Sequence, residues 1–233
     1  MLTFNDVSLF DVAPVYVTGI AVSDPFISSV TTDKTAADGS IFVRRQYKSR
    51  TVTIYFYFNT DSKSMKSEYM EKIYAWAHST TELELRIPER PGKYINAHCT
   101  SLPDFSAVEK KRGMSIQFTC SDPYFYEDGQ KVVAVGSSFA VESVYGAGNA
   151  YIKWTNPSEA SSPAWVLDET TTITISGSVA AGAVVLYVNP IAATLAGTSV
   201  MAQVTIASRP FDLTGGAHII TGNGTLFYRE RWM

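Results

Sequence analysis

The sequence predicts a mainly β protein, a β-rich α+β chain in two domains, 1–133 and 134–233, with one helix in the first and a β-sandwich in the second. Three observations predict this. Several short segments alternate apolar and polar residues with a period of two, as strands do. One segment alone repeats at helical spacing. Charge is also divided unevenly: of 41 charged residues, 30 fall in positions 1–130 and 11 in the remainder, which is rich in Ala, Thr, Val, Gly and Ser. The turn-forming Glu127-Asp128-Gly129 marks the change.

With 45% hydrophobic residues and 18% charged, the chain can bury a core. Aromatics make up 12%, which suits pleated, half-buried surfaces. A net charge of -3 and a pI near 5.6 give no field to gather nucleic acid, so DNA binding is disfavoured as the main role. The N-terminus has no basic residue before its apolar stretch, and the longest apolar run, Val179 to Val188, is too short to span a bilayer. The expectation is a soluble protein made in the cytoplasm, with Cys99 and Cys120 as reduced, buried thiols.

Along the first domain, residues 21–40 combine weak periodicity with many turn formers and predict a loop or long hairpin. From Thr51 to Phe58 the residues alternate. Val52, Ile54, Phe56 and Phe58 face one way, and Thr51, Thr53, Tyr55 and Tyr57 face the other. Two tyrosines on the second face suggest that it too packs against something. The helix spans about Ser62 to His78, with Met65, Tyr69, Ile73 and Ala77 as its apolar line, Asp61 or Ser62 as its cap, and Glu68 paired with Lys72. Leu83, Leu85 and Ile87 predict a strand stopped by Pro88, and Met114 to Cys120 another stopped at Asp122-Pro123. In the second domain, Thr172–Ser176, Val184–Val188, Met201–Ala207 and Leu226–Arg229 read as short strands, with Asn223-Gly224 as a hairpin turn.

No motif for chemistry emerges. His98 adjoins Cys99, but neighbours on an extended segment point to opposite faces. Metal-ligand spacings and phosphate-cradling loops are missing, so neither a metal nor a cofactor is expected, and no catalytic residue is assigned. The basic run Glu109-Lys110-Lys111-Arg112 reads as a solvated turn.

The segment Met114 to Gly129, with Cys120-Ser121-Asp122-Pro123-Tyr124-Phe125-Tyr126 at its centre, resembles the end of the N-terminal domain in the distal tail proteins of long-tailed phages. Asp38-Gly39 followed by Arg50 and the alternating strand, the helix, and Pro91-Gly92-Lys93-Tyr94-Ile95-Asn96-Ala97 follow in the family's order. Ile95 stands where a second aromatic is common, and Pro157 departs from the family's opening of the second domain. The resemblance covers about residues 35–130.

The resemblance implies a virion structural protein at the tail tip, with N-terminal domains joined in a six-membered ring and an outward, galectin-like C-terminal β-sandwich. The implied partners are further copies of the chain, the tail tube protein, the tail-associated hub protein and a receptor-binding protein, with no membrane and no cofactor. DNA would pass through the ring rather than be bound by it. Asp122, Pro123, Tyr124 and Phe125 are then a structural motif that ends the strand, and Tyr55, Tyr57, Asp24 and Phe26 are candidate interface residues. Two other readings compete. One is a carbohydrate-binding module using Trp154, Trp165 or Tyr151. The other is a tail-tip hydrolase, which would need titratable groups converging in a cleft.

Overall fold

A computed structural model describes residues 1–233 except Phe26, 34–39, Asp61, 104–112 and Ile206; for 27–30, 32–33, 40–46 and Ser161 it describes the backbone alone. The chain divides into two compact units, Met1–Phe125 and Tyr126–Met233. The division precedes the expected 133/134 boundary because Lys131–Ala134 forms a strand of the second unit.

Unit one contains β1 (Thr3–Phe4), β2 (Val7–Ser8), α1 (Leu9–Val12), β3 (Val15–Val22), β4 (Ile27–Asp33), β5 (Ser40–Tyr47), β6 (Arg50–Phe58), α2 (Lys63–Ala77), β7 (Leu83–Arg86), β8 (Lys93–Ser101) and β9 (Met114–Cys120). The strands pair antiparallel in the order β2-β1-β7-β8-β9-β6-β3. β8 pairs on two sides: Ile95–Ala97 pair with β7, and His98–Ser101 pair with β9, with a register shift between Cys99 and Ser101. β4 and β5 form a hairpin of their own, so the segment read as a loop or hairpin is a hairpin where it is described. Asp38 and Gly39 lie outside the described residues, as does the basic run at 109–112.

Helix α2 begins at the Ser62 cap, whose hydroxyl accepts from the Met65 N–H at 3.5 Å, and carries the Glu68–Lys72 pair at 2.7 Å. Its buried side is Lys66, Met70, Ile73, Trp76 and Ala77; Met65, expected on the apolar line, is 42% exposed. Steps of four residues each advance about 40° beyond a full turn, so the line starts exposed at Met65 and reaches the buried face only at Ile73 and Ala77. Trp76 meets Phe4 and Phe118 with ring centroids 5.8 and 6.0 Å away, and its indole N–H donates to the Val7 carbonyl at 2.9 Å. This contact docks the helix over the sheet and satisfies the indole's polar atom in the core.

β10 (Phe125–Glu127) spans the division between the units. Unit two continues with β11 (Lys131–Ala134), β12 (Ser138–Val141), β13 (Ala147–Asn156), β14 (Ala160–Ser161), β15 (Ala164–Leu167), β16 (Thr171–Thr174), β17 (Ser178–Val179), β18 (Gly182–Val188), β19 (Ile191–Leu195), β20 (Thr198–Ser199), β21 (Gly216–Thr221) and β22 (Thr225–Trp232). One sheet runs β11-β22-β13-β18-β19-β20, a second β12-β21-β15-β16, and β14 pairs with β17. Ile152, Leu186 and Leu226 from the first share one core with Trp165, Ile173 and Ile220 from the second, which makes a β-sandwich.

Two expectations fail here. Met201–Gln203 is a 3-10 turn rather than the start of a strand, and Met201 is 41% exposed. Asn223-Gly224 does not close a hairpin: β21 belongs to one sheet and β22 to the other. The turn is instead the corner between sheets. The Trp165 indole plugs it by donating to the Asn223 carbonyl at 2.7 Å.

Candidate functional site

The residues singled out in unit one fall into two groups. The first gathers the strand-ending motif around Arg50. Arg50 opens β6 opposite Cys120, the last residue of β9. The chain then turns at Asp122-Pro123, where Asp122 Oδ1 accepts from the Tyr124 N–H at 3.2 Å. Proline has no N–H to extend the ladder, so the strand stops there and the next residues are redirected.

The turn delivers Phe125 into the core, fully buried, with the Arg50 and Arg90 guanidiniums 5.4 and 5.5 Å from its ring centre. Arg50 is itself 3% exposed. Burial lowers its pKa, as does Arg90, while Cys120 and Asp24 act in the opposite direction. Tyr124 meets Tyr47 edge-on at 6.3 Å, and the Ser121 N–H donates to Glu82 at 2.8 Å. Within the motif Pro123 and Phe125 are buried, and Asp122 and Tyr124 are half-buried. Asp24 is exposed and acts on Arg50 only through its field, and Phe26 lies outside the described residues.

The second group is a surface. Tyr55 and Tyr57 point outward from β6, 46% and 44% exposed, and Tyr16 of β3 joins them at 59%. Tyr16 stands opposite Tyr57 in the ladder, with ring centroids 5.1 Å apart. The neighbouring outward positions are Thr51 and Thr53 of β6, and Ser115, Gln117 and Thr119 of β9. The face is therefore aromatic at one end and free of formal charge along β6 and β9, a composition typical of interface cores. The pattern in 51–58 marks two of its tyrosines; Tyr16 had no such signal, because a register shift between Val17 and Gly19 breaks the alternation of β3.

Among the described residues, groups that could do chemistry do not converge in unit one. His98 Nδ1 lies 3.6 Å from Glu82, while the Cys99 thiol donates to the Ser101 carbonyl at 3.6 Å. Both cysteines are free: Cys120 is buried and Cys99 only half-buried, which corrects the expectation of two buried thiols. Burial pushes the Cys99 thiol up, and the Cys120 thiol up to about 12. Among the described residues no three His, Cys, Asp or Glu side chains form a metal site, and no helix is long and apolar enough to cross a membrane.

In unit two, Trp165 is fully buried, and the half-buried Trp154 meets it with ring centroids 5.8 Å apart and planes at 74°. Tyr151 lies on the outer face of β13, but its ring stacks on Phe227 of β22, centroids 5.1 Å apart and planes at 13°. That stacking turns the two ring faces toward each other. One polar cluster had no sequence signal at all. His218 Nδ1 is 2.7 Å from Asp168 Oδ2, and His218 Nε2 is 2.8 Å from the Thr214 carbonyl.

Comparison with known proteins agrees with this architecture. No protein of curated function matches the sequence. In three dimensions the chain is similar to the Dit (gp 19.1) protein of phage SPP1, with a TM-score of 0.76 at 14% identity over 100% of this chain and 98% of that one. It also aligns with a chain of the phage P2 baseplate, with a TM-score of 0.47 at 9% identity over 95% of this chain and 91% of that one. The family model of the phage tail protein RIFT-related domain matches residues 4–121, half of the chain and nearly all of unit one, and the protein therefore belongs to this family of phage tail proteins.

Proposed function

We propose that the chain is a structural distal tail protein, without catalytic activity, whose first unit assembles with copies of itself into a ring at the tail tip. The ring, six-membered in the family that the sequence resembles, joins the tail tube to the hub and lets DNA pass. The second unit faces outward, where receptor-binding components can attach. The similar protein of phage SPP1 is described as a paradigm of the hub adsorption apparatus in phages infecting Gram-positive hosts, and the family match makes the same role the natural one here.

The observation that carries the ring is the uncharged face bearing Tyr16, Tyr55 and Tyr57 beside the edge strand β3. Large aromatic side chains left 44–59% exposed on a sheet face gain most by burial against a second protein surface. A ring needs such a surface to meet a different one on the next copy, so that rotation closes it.

The test is light scattering with negative-stain imaging of the purified chain, alone and mixed with its tail tube and hub proteins. Rings with an open centre are expected, and Tyr57→Glu should give monomers with an unchanged circular dichroism spectrum. A monomer under all of these conditions would overturn the proposal.

A further inference from the structure

The His218 contacts determine its charge by simple chemistry. A backbone carbonyl only accepts, so Nε2, 2.8 Å from the Thr214 oxygen, must carry a hydrogen. On the other side, Asp168 Oδ2 lies 2.7 Å from Nδ1 while Oδ1 accepts from the Ile219 N–H at 2.8 Å. The proton between Nδ1 and Oδ2 could sit on either partner. The Asp168 side chain is 37% exposed and holds a second donor, and both favour the carboxylate; His218 is 7% exposed and wedged between two acceptors.

We propose that His218 is a charged latch of the second unit, closed while its imidazole carries two protons and released by the loss of one. The groups facing the ring are the carboxylates of Asp168, on the β15–β16 turn, and Asp212, on the segment before β21. From β12 the ring of Phe139 stands 5.8 Å away, with Tyr228 of β22 behind it. Among the described residues, the charges acting on the ring are these two carboxylates.

Burial opposes the charge, but the Asp168 hydrogen bond, the Thr214 carbonyl and the two carboxylates outweigh it and hold His218 above its ordinary 6.5. Burial likewise opposes the Asp168 charge, and the bonds from His218 and Ile219 hold that carboxyl below 3.8. The linkage has a definite sign. The His218 contribution is fully present below pH 6.5 and is lost as pH rises through its folded value. The Asp168 contribution is present above pH 3.8 and is lost as pH falls through its folded value.

Which contact breaks first also follows. A neutral imidazole facing a carboxylate keeps its hydrogen on Nδ1, so Nε2 then turns a lone pair toward the Thr214 oxygen. The loosened segment is therefore 211–215. That segment supplies Phe211 and Leu213 to the core, 1% and 2% exposed. It also closes the sandwich at two points: the Phe211 N–H donates to Val188 and the Ala147 N–H to Leu213, at 2.9 and 2.8 Å.

The experiment is an NMR titration of the whole chain from about pH 5 to 9, following the His218 ring. Amide-exchange protection at Phe211 and Ala147, corrected for the intrinsic pH dependence, is measured on the same samples. His218 should titrate above the ordinary 6.5. Protection at the two amides should fall about tenfold through that same titration, the worth of one charged hydrogen bond. In Asp168→Asn the His218 titration should move down, and in His218→Gln protection should no longer follow pH. A His218 that titrates at or below 6.5, or protection that is indifferent to its titration, would overturn the latch. If His218→Gln fails to fold, the Asp168→Asn shift still decides.

Discussion

The Arg50 guanidinium lies over the Phe125 ring, 5.4 Å from its centre, and joins the first residue of one strand to the residue that follows the Asp-Pro-Tyr turn. A buried cation over an aromatic face is attracted by the ring's quadrupole more strongly than an exposed one. Phe125→Ala should destabilise unit one by about 3–5 kcal/mol, as for other large-to-small changes of a fully buried phenylalanine. Arg50→Lys should also destabilise it, because an ammonium lacks the planar group that stacks on the ring. Urea unfolding followed by fluorescence measures both. An Arg50→Lys protein as stable as the parent would mean that charge alone, without stacking, holds the contact.

Cys120 sits opposite Arg50 in the ladder with its thiol pushed up to about 12 by burial, with Glu82 and Asp122 adding to the shift and Arg50 opposing it. An unfolded thiol ionises near 9.0, so above that pH the unfolded chain gives up a proton that the folded one keeps. The favourable contribution is therefore present below pH 9 and lost as pH rises toward 12. Thiol-reactive dye at pH 8 should label Cys99 slowly and Cys120 only on unfolding. Cys99→Ser combined with Cys120→Ser should assemble like the parent, and mobility should be the same with and without reductant. Rapid labelling of two thiols in the folded protein would contradict the burial argument.

Much of unit one was readable in the sequence, because its signals are local. Met114–Cys120 alternates cleanly and is a strand over those same residues, and α2 ends within a residue of its expected limits. What failed did so because the deciding partner is distant. Nothing near Asn223-Gly224 tells that Thr221 and Thr225 enter different sheets; turn chemistry specifies a bend, not what the strands pair with. His218 and Asp168 lie 50 residues apart, and neither carries a local pattern. Arg50 and Phe125 were each marked by resemblance, but only the fold brings them into contact.

The corner at Gly222 predicts a graded effect. Gly222 has φ +133°, and a Cβ there would stand 2.6 Å from Trp165 Cδ1 and 2.9 Å from the Ala164 carbonyl. Gly177 also has a positive φ, +82°, but nothing within 4 Å of its Cβ position. Gly177→Ala should cost only the backbone term, about 1–2 kcal/mol. Gly222→Ala adds a clash with a core indole and should cost more, with a change in Trp165 emission. Equal losses from the two substitutions would show that the corner can move aside.

The β4–β5 hairpin grows out of the β3–β6 ladder: Val22 pairs with Val52, the Ser23 N–H donates to Thr51, and the Thr51 N–H returns to the Ser23 hydroxyl at 2.8 Å. Its two ends are therefore side by side, and no other strand pairs with it among the described residues. A two-stranded ribbon is marginal by itself in water, so a long one is expected to find support in an assembly. Removing only residues 24–36 would take away β4 and leave β5 without its partner. Replacing 28–46 by a short glycine-containing turn is the cleaner change, since it rejoins the paired Ile27 and Tyr47 and keeps the Tyr47–Tyr124 contact. The shortened protein should unfold within about 1 kcal/mol of the parent, as surface changes away from a core generally do. It should nevertheless form rings poorly or fail to attach to the tail tube, as seen by light scattering and negative stain. Parent-like rings and attachment from the shortened chain would show that the hairpin is not an assembly arm, while leaving the tyrosine face untouched.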